Sequence, residues 1–246
     1  VKFILLSPRR GEDVIAAEYD DFLTFTGLRP DQLEARVLDE ADSELGDFTG
    51  VTGVFIGGSP FTITSPVDDV WQPAVSRRLA DFVKDTLEHR RFPIFAACYG
   101  TSMLAHYLGG RVGQTHSEEP GPSRVILTEE ASRDPLVRDL PSEFLGMSGH
   151  KDSVEQLPPE AVLLATGPTC PVQMYRLGSN VWVSQFHPEM DGARILKRLS
   201  FYEDDGYYEE GRAEEVHAQL LGHDTRVSNS LLHRFVEHAA SLCAAA

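Results

Sequence analysis

The chain is poor in cysteine: three thiols, at positions 98, 170 and 243, in 246 residues. They are odd in number and unclustered, which excludes a disulfide framework and a zinc spacing and fits a reducing cytoplasm. Basic residues are also scarce. Against 38 Asp and Glu stand only 22 Lys and Arg, a formal net charge of −16. Such a chain offers neither nucleic acid phosphates nor an anionic membrane the basic surface they require. No run approaches the roughly 18 consecutive apolar residues of a membrane span. The apolar start Val1–Leu6 is too short for a signal peptide, is followed by no cleavage-like site, and reads as a first strand. A start at Val rather than Met reads as trimmed. Neither Gly-x-Gly-x-x-Gly nor Gly-Lys-Ser/Thr occurs, so no phosphate loop and no cofactor is expected. No set of His, Cys and carboxylates has metal spacing. What remains is 41% hydrophobic and 24% charged, a composition for one packed α/β domain expected in the cytoplasm.

Strand and helix patterns alternate through the first half, the signature of a parallel sheet with helices on both faces. Strands are expected at 2–6, 35–38, 51–56 and 92–97, and helices at 12–26 and 70–89. Val75, Leu79, Phe82, Val83 and Leu87 share one face of the second helix. Arg124–Thr128, Ala161–Ala165 and Val172–Arg176 read as further strands, and Gly178-Ser-Asn180 turns the chain into a strand over 181–186. Asp191 is set to cap a helix carrying Ile195, Leu196 and Leu199. Helices follow at 212–221 and 228–242, and the acidic stretch 203–210 reads as a solvated connection. Asp68-Asp69 reads as a helix cap, and His106 and His116 as surface or locally bonded histidines. The pattern is a three-layer αβα sandwich with a mostly parallel central sheet, flavodoxin-like, over residues 1–200, with 201–246 a C-terminal helical extension of the same domain.

Chemistry concentrates at strand ends. The apolar run Phe92–Ala97 stops at Cys98, and a short turn opens a helix with Met103, Leu104, Tyr107 and Leu108 on one face before Gly109-Gly110 ends it. A cysteine in that bend sits at a helix N-terminus, which favours the thiolate nucleophile. A free cysteine can equally be a small buried core residue. A second strand, Val181–Phe186, runs into His187-Pro188-Glu189. An imidazole can take the thiol proton and return one to a leaving group, and a nearby carboxylate can fix its tautomer. In open α/β sheets, ligands bind outside the strand C-termini, where Gly57-Gly58, Cys98 and His187 all fall.

Ala97-Cys98-Tyr99-Gly100 and Gln185-Phe186-His187-Pro188-Glu189 resemble the two signatures of class I glutamine amidotransferases, and within them the amidotransferase domain of GMP synthetase and its free-standing relatives. Val54–Pro60, with Gly57-Gly58, resembles the family's oxyanion loop. Ser148–Val154 resembles its Ser-His-Gly-Asp-x-Val segment, and Glu119-Pro-Gly121 its Glu-x-Gly turn. The resemblance implies Cys98 as nucleophile, His187 as base, Glu189 as orienter, an oxyanion hole at Gly57, Gly58 and Tyr99, and a substrate pocket including His150 and Asp152. Where the family has a glutamine that holds the amino-acid end of the substrate, this chain has Ser102, which lacks a carboxamide.

The expected function is therefore a cysteine hydrolase that releases ammonia from the glutamine side chain through a γ-glutamyl thioester. Since the tail carries no nucleotide motif, the ammonia would pass to a separate synthase chain or the reaction would be simple hydrolysis. Two alternatives stand beside it: a γ-glutamyl peptidase or related amide hydrolase, which Ser102 favours, and a non-catalytic regulatory or binding protein, which the intact triad disfavours. No nucleic acid or membrane partner is expected, and the oligomeric state, a homo-oligomer included, is left open.

Overall fold

The strands alternate apolar residues to two opposite faces, and that alternation builds the layers. The computed structural model describes residues 1–65, 70–89, 92–201, 218 and 220–245. A nine-stranded sheet runs in the order β2-β1-β3-β4-β11-β10-β9-β6-β7. Its first block is parallel: β1 (Phe3–Ser7), β2 (Leu33–Val37), β3 (Gly53–Ile56), β4 (Ile94–Ala97) and β11 (Val181–Ser184). The second block, β10 (Met174–Leu177), β9 (Val162–Thr166), β6 (Glu118–Leu127) and β7 (Glu143–His150), pairs antiparallel. A separate ribbon joins β5 (Arg111–Gly113) to β8 (Ser153–Gln156).

Along β1, Ile4 and Leu6 enter one core while Phe3 and Leu5 enter the other. This is the two-residue period of a strand buried on both faces. The first core is covered by α2 (Trp71–His89), through Val75, Leu79 and Val83, and by α3 (Tyr99–Tyr107), through Met103 and Leu104. The second is covered by α1 (Glu12–Thr26), through Phe22, and by α5 (Arg226–Ala245), through Leu231, Leu232 and Phe235. Phe235 packs its ring against Phe3, Phe55, Phe95 and Trp182. The C-terminal helix is thus part of the core rather than a loose tail, and it also packs along α1.

The expected helices at 12–26, 70–89 and 228–242 fall within two residues of α1, α2 and the start of α5, and Asp191 caps α4 (Gly192–Ser200) by accepting from the Arg194 N–H at 2.9 Å. Gly27 ends α1 in the left-handed region at φ 70, the conformation glycine adopts without a Cβ clash. The expected turn at Glu119-Pro-Gly121 lies inside β6, where the register with β7 shifts between Glu118 and Gly121. The polar stretch around His150 forms the end of β7 and the start of β8. Asp68-Asp69, the acidic stretch 203–210 and most of the expected helix at 212–221 lie outside the described residues. Among the described residues, no helix is long and apolar enough to cross a membrane.

Candidate active site

Strand register brings the site together. Ile56 pairs with Ala96 and Ala97 pairs with Ser184, so β3, β4 and β11 end level. The residues that follow, Gly57-Gly58, Cys98 and Gln185–His187, therefore emerge side by side at the carboxyl edge.

Cys98 occupies the bend between β4 and α3 with φ 48 and ψ −91. Such a backbone conformation in a non-glycine residue costs on the order of 1–3 kcal/mol and persists only where the surroundings hold it. Here the Cys98 N–H donates to the Ser184 carbonyl at 2.7 Å, and Thr101 Oγ1 donates to the same oxygen at 2.8 Å. Gly100 permits the bend, because a Cβ there would stand 2.6 Å from that of Ala96. The Tyr99 hydroxyl pins α3 to α2 through Ser76 Oγ at 2.5 Å, and burial pushes its pKa up to about 12.

His187 is fixed from two sides. Its N–H donates to the Met147 carbonyl at 2.7 Å and its Nδ1 faces Glu189 Oε1 at 2.6 Å, and its ring lines the same cavity as Cys98. Burial alone would lower its pKa, but the negative charges of Cys98 and Glu189 prevail and raise it. Glu189 is fully buried. Burial opposes its ionisation, yet His187 outweighs that and holds the carboxyl below the usual range. Both shifts favour an imidazolium–carboxylate pair.

Gly57 and Gly58 differ in what they can offer. The Gly57 N–H is committed to the Leu6 carbonyl at 2.9 Å, and a Cβ on Gly57 would stand 2.7 Å from the Glu18 carboxylate. Gly58 faces the site directly, since a Cβ there would meet His187 Cε1 at 3.2 Å and Arg9 Nη2 at 3.3 Å. Only a glycine pair tolerates both approaches.

Ser102, His150 and Asp152 line one cavity beside Cys98, of about 380 Å³ including its open mouth. His150 is tied at both ring nitrogens: Nδ1 donates to the Asp152 carbonyl at 2.8 Å and Nε2 meets Glu118 Oε2 at 2.9 Å. Asp152 grips the loop beyond the glycines, its carboxylate accepting from the Ile63 N–H and Thr64 Oγ1, both at 2.5 Å, and from the Thr64 N–H at 3.2 Å.

Four site residues were not singled out from the sequence. Glu118, rather than the neighbouring Glu119 of the quoted turn, reaches His150, Ser148 and Gln173. Burial works against its charge, but His150 and the hydroxyl of Ser123 lower its pKa overall. Gln185, the first residue of the motif that ends at Glu189, is buried against the same cavity, and its Oε1 makes no hydrogen bond. Arg9 and Arg198 are buried at a second cavity beside Cys98. They face two acids on the inner side of α1: Arg9 Nη2 bonds Glu18 Oε1 at 2.9 Å, and Arg198 pairs with Asp21. Burial pushes Asp21 up to about 6, against the pull of Arg198 and Arg194.

A further Cys, His and Glu group exists: Glu118, His150 and Cys170 have potential ligand atoms within 4.8 Å of one another. Sequence spacing gave no hint of it, because the three lie on different strands and loops. The Cys170 thiol donates to the Val172 carbonyl at 3.4 Å, and burial pushes its pKa up to about 12. A buried, protonated thiol is a poor nucleophile and a poor ligand. His106 is exposed and half-buried His116 donates its N–H to Ser153 Oγ at 3.3 Å.

A strained cysteine at a strand–helix bend, in one cavity with a histidine that is itself held by a buried carboxylate, is an arrangement suited to thiol chemistry at the edge of an α/β sheet. Residues 32–201 match the glutamine amidotransferase class-I family model, and the chain belongs to that family. It is 33% identical over 120 residues to a GMP synthase [glutamine-hydrolyzing] subunit of Methanococcus aeolicus, covering 47% of this chain and 62% of that protein. The corresponding subunit of Thermoplasma volcanium is 25% identical over 175 residues, covering 71% of this chain and 75% of that one. Against the GMP synthase [glutamine-hydrolyzing] of Christiangramia forsetii, 29% identical over 158 residues, the match spans only 28% of the relative's length. Among solved structures, a glutamine amido transferase from Methylobacillus flagellatus superposes with a TM-score of 0.70 at 18% identity, covering 98% of this chain and 94% of that one. A glutamine amidotransferase from Thermotoga maritima gives 0.67 at 20% identity, with 96% and 99% covered. At these identities the structures establish the shared fold.

Proposed function

We propose that this chain hydrolyses the side-chain amide of glutamine through a γ-glutamyl thioester on Cys98. The observation that carries the reading is Cys98 itself, held at φ 48 at the N-terminus of α3 and sharing one cavity with His187. Cys98 attacks the amide carbon as a thiolate. The N–H groups of Gly58 and Tyr99 stabilise the oxyanion; Gly57 contributes the close approach rather than a donor, its own N–H being engaged. Removing one such donor typically costs about 2.7–4 kcal/mol of barrier. His187 gives its proton to the departing nitrogen, the C–N bond breaks, and ammonia leaves. His187 then takes a proton from water, which attacks the thioester and releases glutamate. Glu189 keeps the ring in one tautomer throughout.

In the substrate cavity, Ser102 leaves the amino-acid end of glutamine short of one partner. The unbonded carboxamide oxygen of Gln185 supplies an acceptor for the α-ammonium there. Asp152 and His150 act by holding the walls, since their polar atoms are committed to protein partners. Two relatives are named as one subunit of a GMP synthase rather than the whole enzyme. That supports a separate synthase chain as the acceptor of the ammonia.

The test is ammonia release from glutamine by the purified chain, with Cys98→Ala and His187→Ala as controls. Turnover that disappears in both variants is expected. Undiminished turnover in Cys98→Ala contradicts the covalent route, and no turnover in the wild type, alone or with a synthase partner, contradicts the glutaminase reading.

A further inference from the structure

Cys98 opens onto two cavities, and only one of them contains the general acid. The cavity with Ser102 and Gln185 does not include His187. The other, of about 440 Å³ including its open mouth, is lined by both Cys98 and His187. In the chemistry proposed above, on which this inference rests, His187 must protonate the departing nitrogen. The acyl half of the substrate therefore sits in the Ser102 cavity and the leaving amine in the His187 cavity.

The leaving-group cavity is chemically built. Met190, Ile195 and Leu199 form an aliphatic wall. Arg9 and Arg198, only 3% and 5% exposed, line the same cavity. Arg198 Nη2 is held by Asp21 and its Nη1 stands 3.6 Å from Glu18, but its Nε and Nη1 make no hydrogen bond. A buried guanidinium with unused donors is costly unless an acceptor meets it. The bidentate partner that suits a guanidinium is a carboxylate.

We propose that this cavity is a subsite for the α-carboxylate and aliphatic side chain of an amino acid, so that the chain also cleaves γ-glutamyl dipeptides with an aliphatic second residue. The thiolate adds to the γ-amide carbon, the C–N bond breaks, and the amino acid leaves with its nitrogen protonated by His187. Water then hydrolyses the same thioester to glutamate. The overall reaction consumes one water and needs no other reactant. Ser102 agrees with this assignment, because it leaves the acyl side less committed to free glutamine.

The experiment compares glutamine, γ-glutamyl-leucine and γ-glutamyl-isoamylamide, the last having the leucine skeleton without its carboxylate. The expected kcat/KM for γ-glutamyl-leucine is at least tenfold above that for the isoamylamide. Arg198→Gln should collapse that ratio towards one. Should Arg198→Gln not fold, the wild-type ratio decides alone. A wild-type ratio below tenfold, or an unchanged ratio in a folded Arg198→Gln, overturns the subsite; if glutamine is still hydrolysed, the thioester reading survives it. Failure of all three substrates overturns both.

Discussion

Replacing Glu189 by Gln keeps the size of the side chain and removes its charge. Glu189 Oε1 stands 2.6 Å from His187 Nδ1, and both groups are buried. A hydrogen bond to a charged partner contributes about 1.5–3 kcal/mol. At about 1.4 kcal/mol per factor of ten, the imidazolium of the transition state loses roughly 10- to 150-fold in stabilisation. A carboxamide that turns its NH₂ towards Nδ1 adds to this by fixing the tautomer that cannot accept the thiol proton. The pH profile should change as well. Glu189 is one of the two charges that raise the His187 pKa. Without it the imidazolium gives up its proton at lower pH, so the alkaline limb of kcat should move down. The assay is steady-state release of ammonia or amine from the best γ-glutamyl substrate, with circular dichroism to establish that the variant folds. A folded Glu189→Gln that keeps more than a third of wild-type kcat/KM, with an unmoved alkaline limb, refutes the orienting role.

Asp152→Asn should weaken the grip on Ile63 and Thr64, where three donors meet one carboxylate; KM should rise several-fold with a smaller change in kcat, and an unchanged KM would contradict the positioning role. Ser102→Gln should lower KM for glutamine with little effect on kcat, as steady-state kinetics will report, and no gain would show that this position does not set specificity. Glu118 holds a lowered pKa in the fold, so the stability it contributes is present above its ordinary value of 4.5 and is lost as pH falls through the depressed folded value. Glu118→Gln should therefore flatten the acid-side loss of urea stability below that pH, and an unchanged slope would count against the His150–Glu118 pair.

The nucleophile strand, the histidine strand and the helices of the first half were legible because both faces of the parallel block are buried, giving near-continuous apolar runs that end at the reacting residues. The antiparallel half was harder to read. β7 carries Ser148, Gly149 and His150, and its polar end reads as a loop until it is seen pairing with β6. The apolar helix pattern of α1 likewise gives no reason to expect Glu18 and Asp21 on its inner side. They are compensated there by Arg9, from the loop just before α1, and by Arg198, from the remote helix α4. The same limit hid Glu118, most of whose partners come from β7 and the segment leading into β10, with only Ser123 from nearby sequence. Motif chemistry at strand ends survives in a linear sequence, whereas charge compensation between remote segments does not.

The central claim is that Cys98 is the nucleophile towards a γ-glutamyl amide. The direct measurement is intact mass and peptide mapping after exposure to a glutamine analogue bearing a diazoketone in place of the side-chain amide, with and without excess glutamine. Cys170 is buried with a pKa pushed up to about 12, Cys243 is exposed, and neither lines either cavity beside Cys98. One adduct, on Cys98, that excess glutamine or γ-glutamyl-leucine suppresses is the predicted result. Modification at Cys170 or Cys243 instead, or labelling of Cys98 that neither substrate slows, would contradict the account.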